Sequence, residues 1–182
     1  MGVTFDQSEF ELRCEWGWQG LRTLAAISDV VIIVDVLSFS TAVDMAVARG
    51  GVILPYPFKD GSAAEYAGSV GAHLASPSRG FGFSLSPASM RDLPFGYRLV
   101  LPSPNGAALS FSADHPIVLA ACLRNAAAVA RAAIGLGRTI AVIPAGEMLI
   151  ERGFAADVDP AAELNVSGNV ARLVDRAFCR AG

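Results

Sequence analysis

The chain has 182 residues, 53% hydrophobic and 17% charged, a balance that excludes a disordered protein and suits one domain with a buried core. Its cations are 13 arginines and the single Lys59, its formal net charge is −3, and no basic stripe is present, so no nucleic-acid partner is expected. The most apolar run, Val30 to Leu37, contains Asp35 and falls short of the roughly 20 residues that a spanning helix needs, so no membrane partner is expected.

Met1 to Glu15 carries acids and no apolar stretch, which argues against a signal peptide. Alternation then predicts a strand over Glu9 to Trp16 and a helix over Gly17 to Ile27. A buried strand follows over Asp29 to Val36, and a helix over Ser40 to Arg49 that Gly50-Gly51 ends. Val52 to Pro55 reads as a short strand, and Asp60 to Gly71 as a helix capped by Asp60 or Ser62. Residues 73–97 are punctuated by Gly, Pro and Ser, and read as a long irregular loop of the kind that carries function. Regular alternation resumes with strand Arg98 to Leu101, helix Asn105 to Ser112, strand Pro116 to Ala121, helix Asn125 to Leu136 and strand Arg138 to Pro144. A helix is expected from about Pro160 to Phe178. Repeated strand–helix units predict a single α/β domain over residues 1–182, with helices on both faces of a mostly parallel or mixed sheet. Cys14, Cys122 and Cys179 are odd in number, widely spaced and in no metal pattern, which fits free thiols in a reducing cytoplasm.

In such sheets ligands bind beyond the carboxyl ends of strands. Four of these ends carry polar clusters: Asp35 to Thr41, Ser103 to Gly106, Arg124-Asn125 and Gly146-Glu147. Asp35-Val36-Leu37-Ser38-Phe39-Ser40-Thr41, Ser84-Leu85-Ser86-Pro87, Pro102-Ser103-Pro104-Asn105-Gly106-Ala107, Asn125-Ala126-Ala127-Ala128-Val129-Ala130 and Ala145-Gly146-Glu147 follow in that order. Their order and spacing resemble the 2-phosphosulfolactate phosphatase (ComB-like) family from about Glu11 to Glu147. The resemblance implies a three-layer α/β/α sandwich. It also implies Mg²⁺-dependent hydrolysis of a phosphate monoester of a small 2-hydroxy acid, in coenzyme M biosynthesis. The sequence departs from the family pattern at Ser38, where the family has Arg, and at Leu164, where Asp is expected after a Glu matched by Glu163.

Asp35 ends the most apolar strand. It reads as a Mg²⁺ ligand, as a nucleophile, or as a cap for the helix that follows. Glu147 reads as a second carboxylate for metal binding or base catalysis, or as a surface Glu. With Glu163 these two make the candidate metal set. Ser40 and Thr41 suit both a helix start and phosphate contact. Ser103, Asn105 and Gly106 suit an anion site or an ordinary turn. Arg79 and Arg124 are the candidate anion ligands, with Asn125 beside the second. Asp157 and Asp159 read as a solvated face, and His73 and His115 as structural or surface residues. Two other readings stand beside the phosphatase: a catalytically silent small-anion-binding homologue, and an isochorismatase-like cysteine hydrolase using Asp35, Lys59 and Cys122. The expected partner is a small phosphorylated acid; the composition is compatible with a homodimer and does not set the oligomeric state.

Overall fold

A computed structural model of the chain describes residues 7–145 and 155–181. In chain order its elements are β1 Leu12–Cys14, α1 Gly17–Leu24, β2 Val30–Val34, α2 Phe39–Ala48, β3 Val52–Tyr56, α3 Gly61–Ser69 and β4 His73–Leu74. They continue with β5 Arg98–Pro102, α4 Gly106–Ser112, β6 Val118–Ala121, α5 Ala126–Leu136, β7 Ile140–Pro144, α6 Ala155–Ala162, β8 Ala171–Val174 and β9 Ala177–Arg180. Short 3₁₀ turns cover Ala25–Ile27, Pro87–Asp92 and Leu123–Asn125.

All nine strands join one sheet in the order β1-β7-β2-β6-β8-β9-β3-β5-β4. β1, β7, β2 and β6 pair in parallel, and so do β3, β5 and β4. The hairpin β8–β9 joins the two groups through antiparallel pairings on both sides. The fold is α/β with a large mixed sheet. β2 shows why helices cover both faces. Val31 and Ile33 pack with Leu21 and Leu24 of α1 and Leu109 of α4, whereas Val30 and Ile32 pack with Val129 and Ala133 of α5. Side chains alternate along a strand, so a continuous apolar run needs an apolar partner on each side. Farther along the sheet, Phe39, Val43 and Val47 of α2 lie against Ile53, Leu99, Leu101 and Phe178. Full burial of each such side chain contributes about 1.5–3 kcal/mol, so a charge at Ile33 would unfold this half of the domain.

The predicted elements hold to within a few residues up to β7. Asp60 caps α3 by accepting the Ser62 N–H at 3.0 Å. The expected helix from Pro160 to Phe178 is not formed. α6 stops at Ala162, Asn165 takes φ +55, and β8 and β9 follow. The hairpin turn is Asp175-Arg176, with φ of +48 and +63. Two successive left-handed residues make the tight turn whose twist matches a two-residue hairpin. Insertion into the sheet buries Ala171 and Phe178 completely, which outweighs the helical propensity of the segment. Among the described residues no helix is long and apolar enough to cross a membrane.

Candidate functional site

Asp35 follows the last residue of β2 and is only 4% exposed. The turn that carries it is tightly bonded. Asp35 N–H donates to Ser40 Oγ at 3.0 Å, Ser40 N–H donates back to the Asp35 carbonyl at 2.8 Å, and Thr41 O–H donates to the Val36 carbonyl at 2.6 Å. Ser40 and Thr41 therefore shape the β2–α2 turn and are fully buried.

The second component arrives from β5. Ser103 N–H donates to the Tyr56 carbonyl at 3.0 Å, and the Ser103 hydroxyl accepts from Asn105 N–H at 3.3 Å. This loop presents the backbone N–H of Gly106, which donates to Asp35 Oδ2 at 2.9 Å. Only glycine fits there, because a Cβ on residue 106 would lie 2.7 Å from both Asp35 Oδ2 and the Phe39 ring. The carboxyl ends of β2 and β5 thus meet, although four strands separate them in the sheet.

The third component is cationic. Arg79 Nη1 donates to Ser38 Oγ at 3.0 Å, three residues beyond Asp35, and pairs with the carboxylate of Asp157. Ser86 O–H donates to the other oxygen of Asp157. Burial pushes the Asp35 carboxyl above the ordinary carboxylate range; the N–H groups of Gly106 and Phe39 and the charges of Arg79 and Lys59 pull it back. Lys59 also lines a cavity of about 150 Å³ with Ser76, Pro77, Leu85 and Pro102. Among the described residues the second carboxylate oxygen, Oδ1, is buried with no hydrogen-bond partner.

These features decide what the residues can do together. The loop after β5, a loop cation and a buried acid thus meet at the Asp35–Ser38 turn, an arrangement that brings positive charge to a small anion.

A comparison with protein families matches residues 19–157 to the family described as 2-phosphosulpholactate phosphatase. The chain belongs to that family. No curated protein matches it. The family match spans the Asp35 turn, the Gly106 loop, Arg79 and Asp157, so the residues that converge in space all lie within it.

Other expected site residues are placed elsewhere. Arg124 is not directed at Asp35: its Nε donates to Asp44 Oδ2 at 3.2 Å, and its Nη1 bonds the Pro160 carbonyl and pairs with Glu163. Glu163 therefore answers Arg124 rather than Asp35, with its side chain 52% exposed. Asn125 is buried and accepts the Cys122 N–H at 2.9 Å while donating to the Ala120 carbonyl at 3.2 Å, so it stiffens the turn into α5. Glu147 lies outside the described residues. Among those described, no group of three or more His, Cys, Asp or Glu side chains is placed to hold a metal.

Asp157, expected on a solvated face, is only 2% exposed, drawn inward by Arg79 and Ser86. Asp44 escaped sequence reasoning; it is 1% exposed and bonds Ser167 and Arg124. Burial raises its carboxyl, and Ser167 and Arg124 oppose the shift. Its signal was an acid one position from Val43 on the apolar helix Phe39–Ala48. Cys122 is buried, and its thiol is pushed up by burial and by the negative charge of Asp44. A protonated, enclosed thiol is a poor nucleophile, and the Cys122 thiol donates to Asn125 Oδ1 at 3.6 Å. His115 accepts the Ile117 N–H at 3.1 Å and contacts the Ser28 carbonyl at 2.9 Å, a structural bridge as expected. A larger groove of about 940 Å³ runs along α5 and β7. Its walls are apolar, and its two charged residues, Glu11 and Arg138, pair with each other at 2.6 Å, so chemistry is assigned to the Asp35 site instead.

Proposed function

We propose that the chain is a cytoplasmic phosphatase that hydrolyses the phosphate monoester of a small 2-hydroxy acid at the Asp35 site. The observation that supports this most is the buried Asp35 carboxylate, with one oxygen held by Gly106 N–H and the other unbonded, under the charges of Arg79 and Lys59. A phosphate ester carries two negative charges that need such cations, and Arg is the residue suited to bidentate phosphate contact. Arg79 would bind the phosphoryl oxygens, and Lys59 would add positive charge for the acid end of the substrate.

Mg²⁺ fits this site in its minimal form, because the ion takes one or two carboxylates and leaves its other positions to phosphate and water. Asp35 Oδ1 would hold it; when bound, the ion supplies charge neutralisation on the phosphoryl oxygens. The chain's own contribution is orientation. Gly106 fixes the Asp35 rotamer, the Ser40 and Thr41 bonds fix the turn, and the loop bearing Arg79 shields the phosphate from bulk water. Ester cleavage then proceeds either by water attack at phosphorus or by attack of Asp35 through an aspartyl-phosphate. The configuration at phosphorus of a chirally labelled phosphate ester separates the two, since direct water attack breaks the ester P–O bond with one inversion, whereas the aspartyl-phosphate route inverts twice and retains configuration.

A silent anion-binding homologue is the second reading. Its support is that, among the described residues, the charges that act on Asp35 are the cations Arg79 and Lys59. The deciding experiment is phosphate release from phosphorylated 2-hydroxy acids with and without Mg²⁺. An enzyme releases phosphate; a binder shows only thermal stabilisation by ligand.

A further inference from the structure

The segment 76–86 carries Arg79 on a backbone built for freedom. Gly80 and Gly82 take φ of +94 and +60, and Phe81 between them is 79% exposed. Local bonds tie the base of the loop: Ser76 N–H donates to the Phe83 carbonyl at 2.7 Å, and Ser86 N–H donates to Ser84 Oγ at 3.2 Å. These bonds do not say where the tip carrying Arg79 should point. One residue from a distant part of the chain does. Asp157, in the first turn of α6 and 2% exposed, grips Arg79 with one carboxylate oxygen and Ser86 with the other. The Arg79 nitrogen that pairs with Asp157 also donates to Ser38 Oγ at 3.0 Å. One carboxylate thus joins α6, the two arms of the loop and, through Arg79, the turn that carries Asp35.

We propose that Asp157 is the positioning residue of this site: it clasps the 76–86 loop and sets the Arg79 guanidinium against the Ser38 turn, where a substrate anion meets it. This rests on the reading of the Asp35 site as one that binds a phosphate ester. Asp157 touches no reacting atom in this account. It acts through Arg79, so its removal loosens the loop and weakens anion binding more than it slows the bound substrate.

The test uses the full chain with Asp157→Asn, Arg79→Gln, the double variant and Ser86→Ala. Asp157→Asn keeps the shape and can still accept from Ser86, so the fold is retained; Ser86→Ala severs the other arm and leaves every charge in place. Amide hydrogen exchange over 76–86 and the Kd for inorganic phosphate are measured for each, with KM and kcat on a phosphorylated 2-hydroxy acid. Asp157→Asn is expected to speed exchange in 76–86 by about tenfold, with β2 and α2 unchanged, and to raise phosphate Kd and KM by about tenfold with kcat within about threefold. In the Arg79→Gln background the same change adds less than about twofold, because its effect passes through Arg79. Ser86→Ala speeds exchange over 76–86 by a smaller factor. Unchanged exchange over 76–86 in Asp157→Asn overturns the proposal, and so do effects on phosphate Kd that multiply in the double variant. Exchange reads the clasp whether or not any substrate turns over, so a wild-type chain that releases no phosphate counts against the phosphatase reading alone.

Discussion

Replacing Asp35 by Asn separates chemistry from architecture at one atom. The amide keeps an oxygen for Gly106 N–H, which donates to the carboxylate at 2.9 Å in the wild type. It removes a negative charge whose other oxygen is buried without a hydrogen bond. Because burial raises this carboxyl, the folded chain holds its proton more tightly than the unfolded chain. The resulting stability is whole below about pH 4, the unfolded value, and is lost as pH rises through the higher folded value. At pH 7 and without divalent metal, the Asp35 carboxyl therefore contributes less to wild-type stability than it does at low pH. The amide carries no charge for burial to penalise, but its NH₂ takes the place of the unpartnered Oδ1, so the cost of about 1–3 kcal/mol for an unmade buried hydrogen bond stays in both proteins; the lost attraction of Arg79 and Lys59 offsets part of the gain from removing the charge. A net gain of about 1 kcal/mol is expected, which for a domain of this size raises Tm by roughly 2–4 °C. Below about pH 4 the two proteins should melt together. Phosphate release should fall by about 100–1,000-fold, as when a preorganised charge is removed from a transition state. The assay is a pair of melts at pH 7 and at low pH, with phosphate release on the same samples. An Asp35→Asn protein that is less stable than wild type at pH 7, or that keeps its rate within about threefold, would refute the reasoning.

Gly106→Ala puts a Cβ 2.7 Å from Asp35 Oδ2 and from the Phe39 ring; it should cost about 1–3 kcal/mol in chemical denaturation and remove activity. Asp29 accepts bonds from the N–H groups of Arg138 and Thr139 and the Thr139 hydroxyl, which lower its carboxyl. The stability it supplies is whole above about pH 4 and is lost as pH falls through the lower folded value; urea midpoints from pH 5 downward should drop less steeply in Asp29→Asn. Cys122→Ala should retain phosphate release within about twofold, since a buried free thiol behaves as a small hydrophobe, and thiol alkylation should leave wild-type activity intact. Loss of activity on either treatment would restore the cysteine reading.

Much of this was legible in the residues themselves. The run Val30 to Val34 announces a strand with two buried faces, and an acid placed directly after it marks the carboxyl end of that strand, where the candidate site was expected. The Gly-Pro-Ser texture of 73–97 marked an irregular loop, and its Arg79 reaches the Ser38 turn. What stayed hidden depends on contacts distant in the chain. Asp157 looks like a surface acid until Arg79, 78 positions earlier, is seen to draw it inward. Arg124 and Glu163 look like ligands until Asp44, buried in α2, claims the guanidinium. The β8–β9 hairpin was missed because Ala-rich and Arg-rich segments favour helix locally, whereas burial of Phe178 in the sheet decides the outcome. The paired short runs Ala171–Val174 and Ala177–Arg180, joined by two residues, were the available signal.

The most direct test of the account is inorganic phosphate released by the wild-type chain from a panel of phosphorylated 2-hydroxy acids, measured with Mg²⁺ and after its removal by chelation. The account predicts release that Mg²⁺ stimulates and chelation reverses, with the same substrates inert toward Asp35→Asn. Release that is indifferent to both Mg²⁺ and Asp35, or no release from any member of the panel, would contradict it.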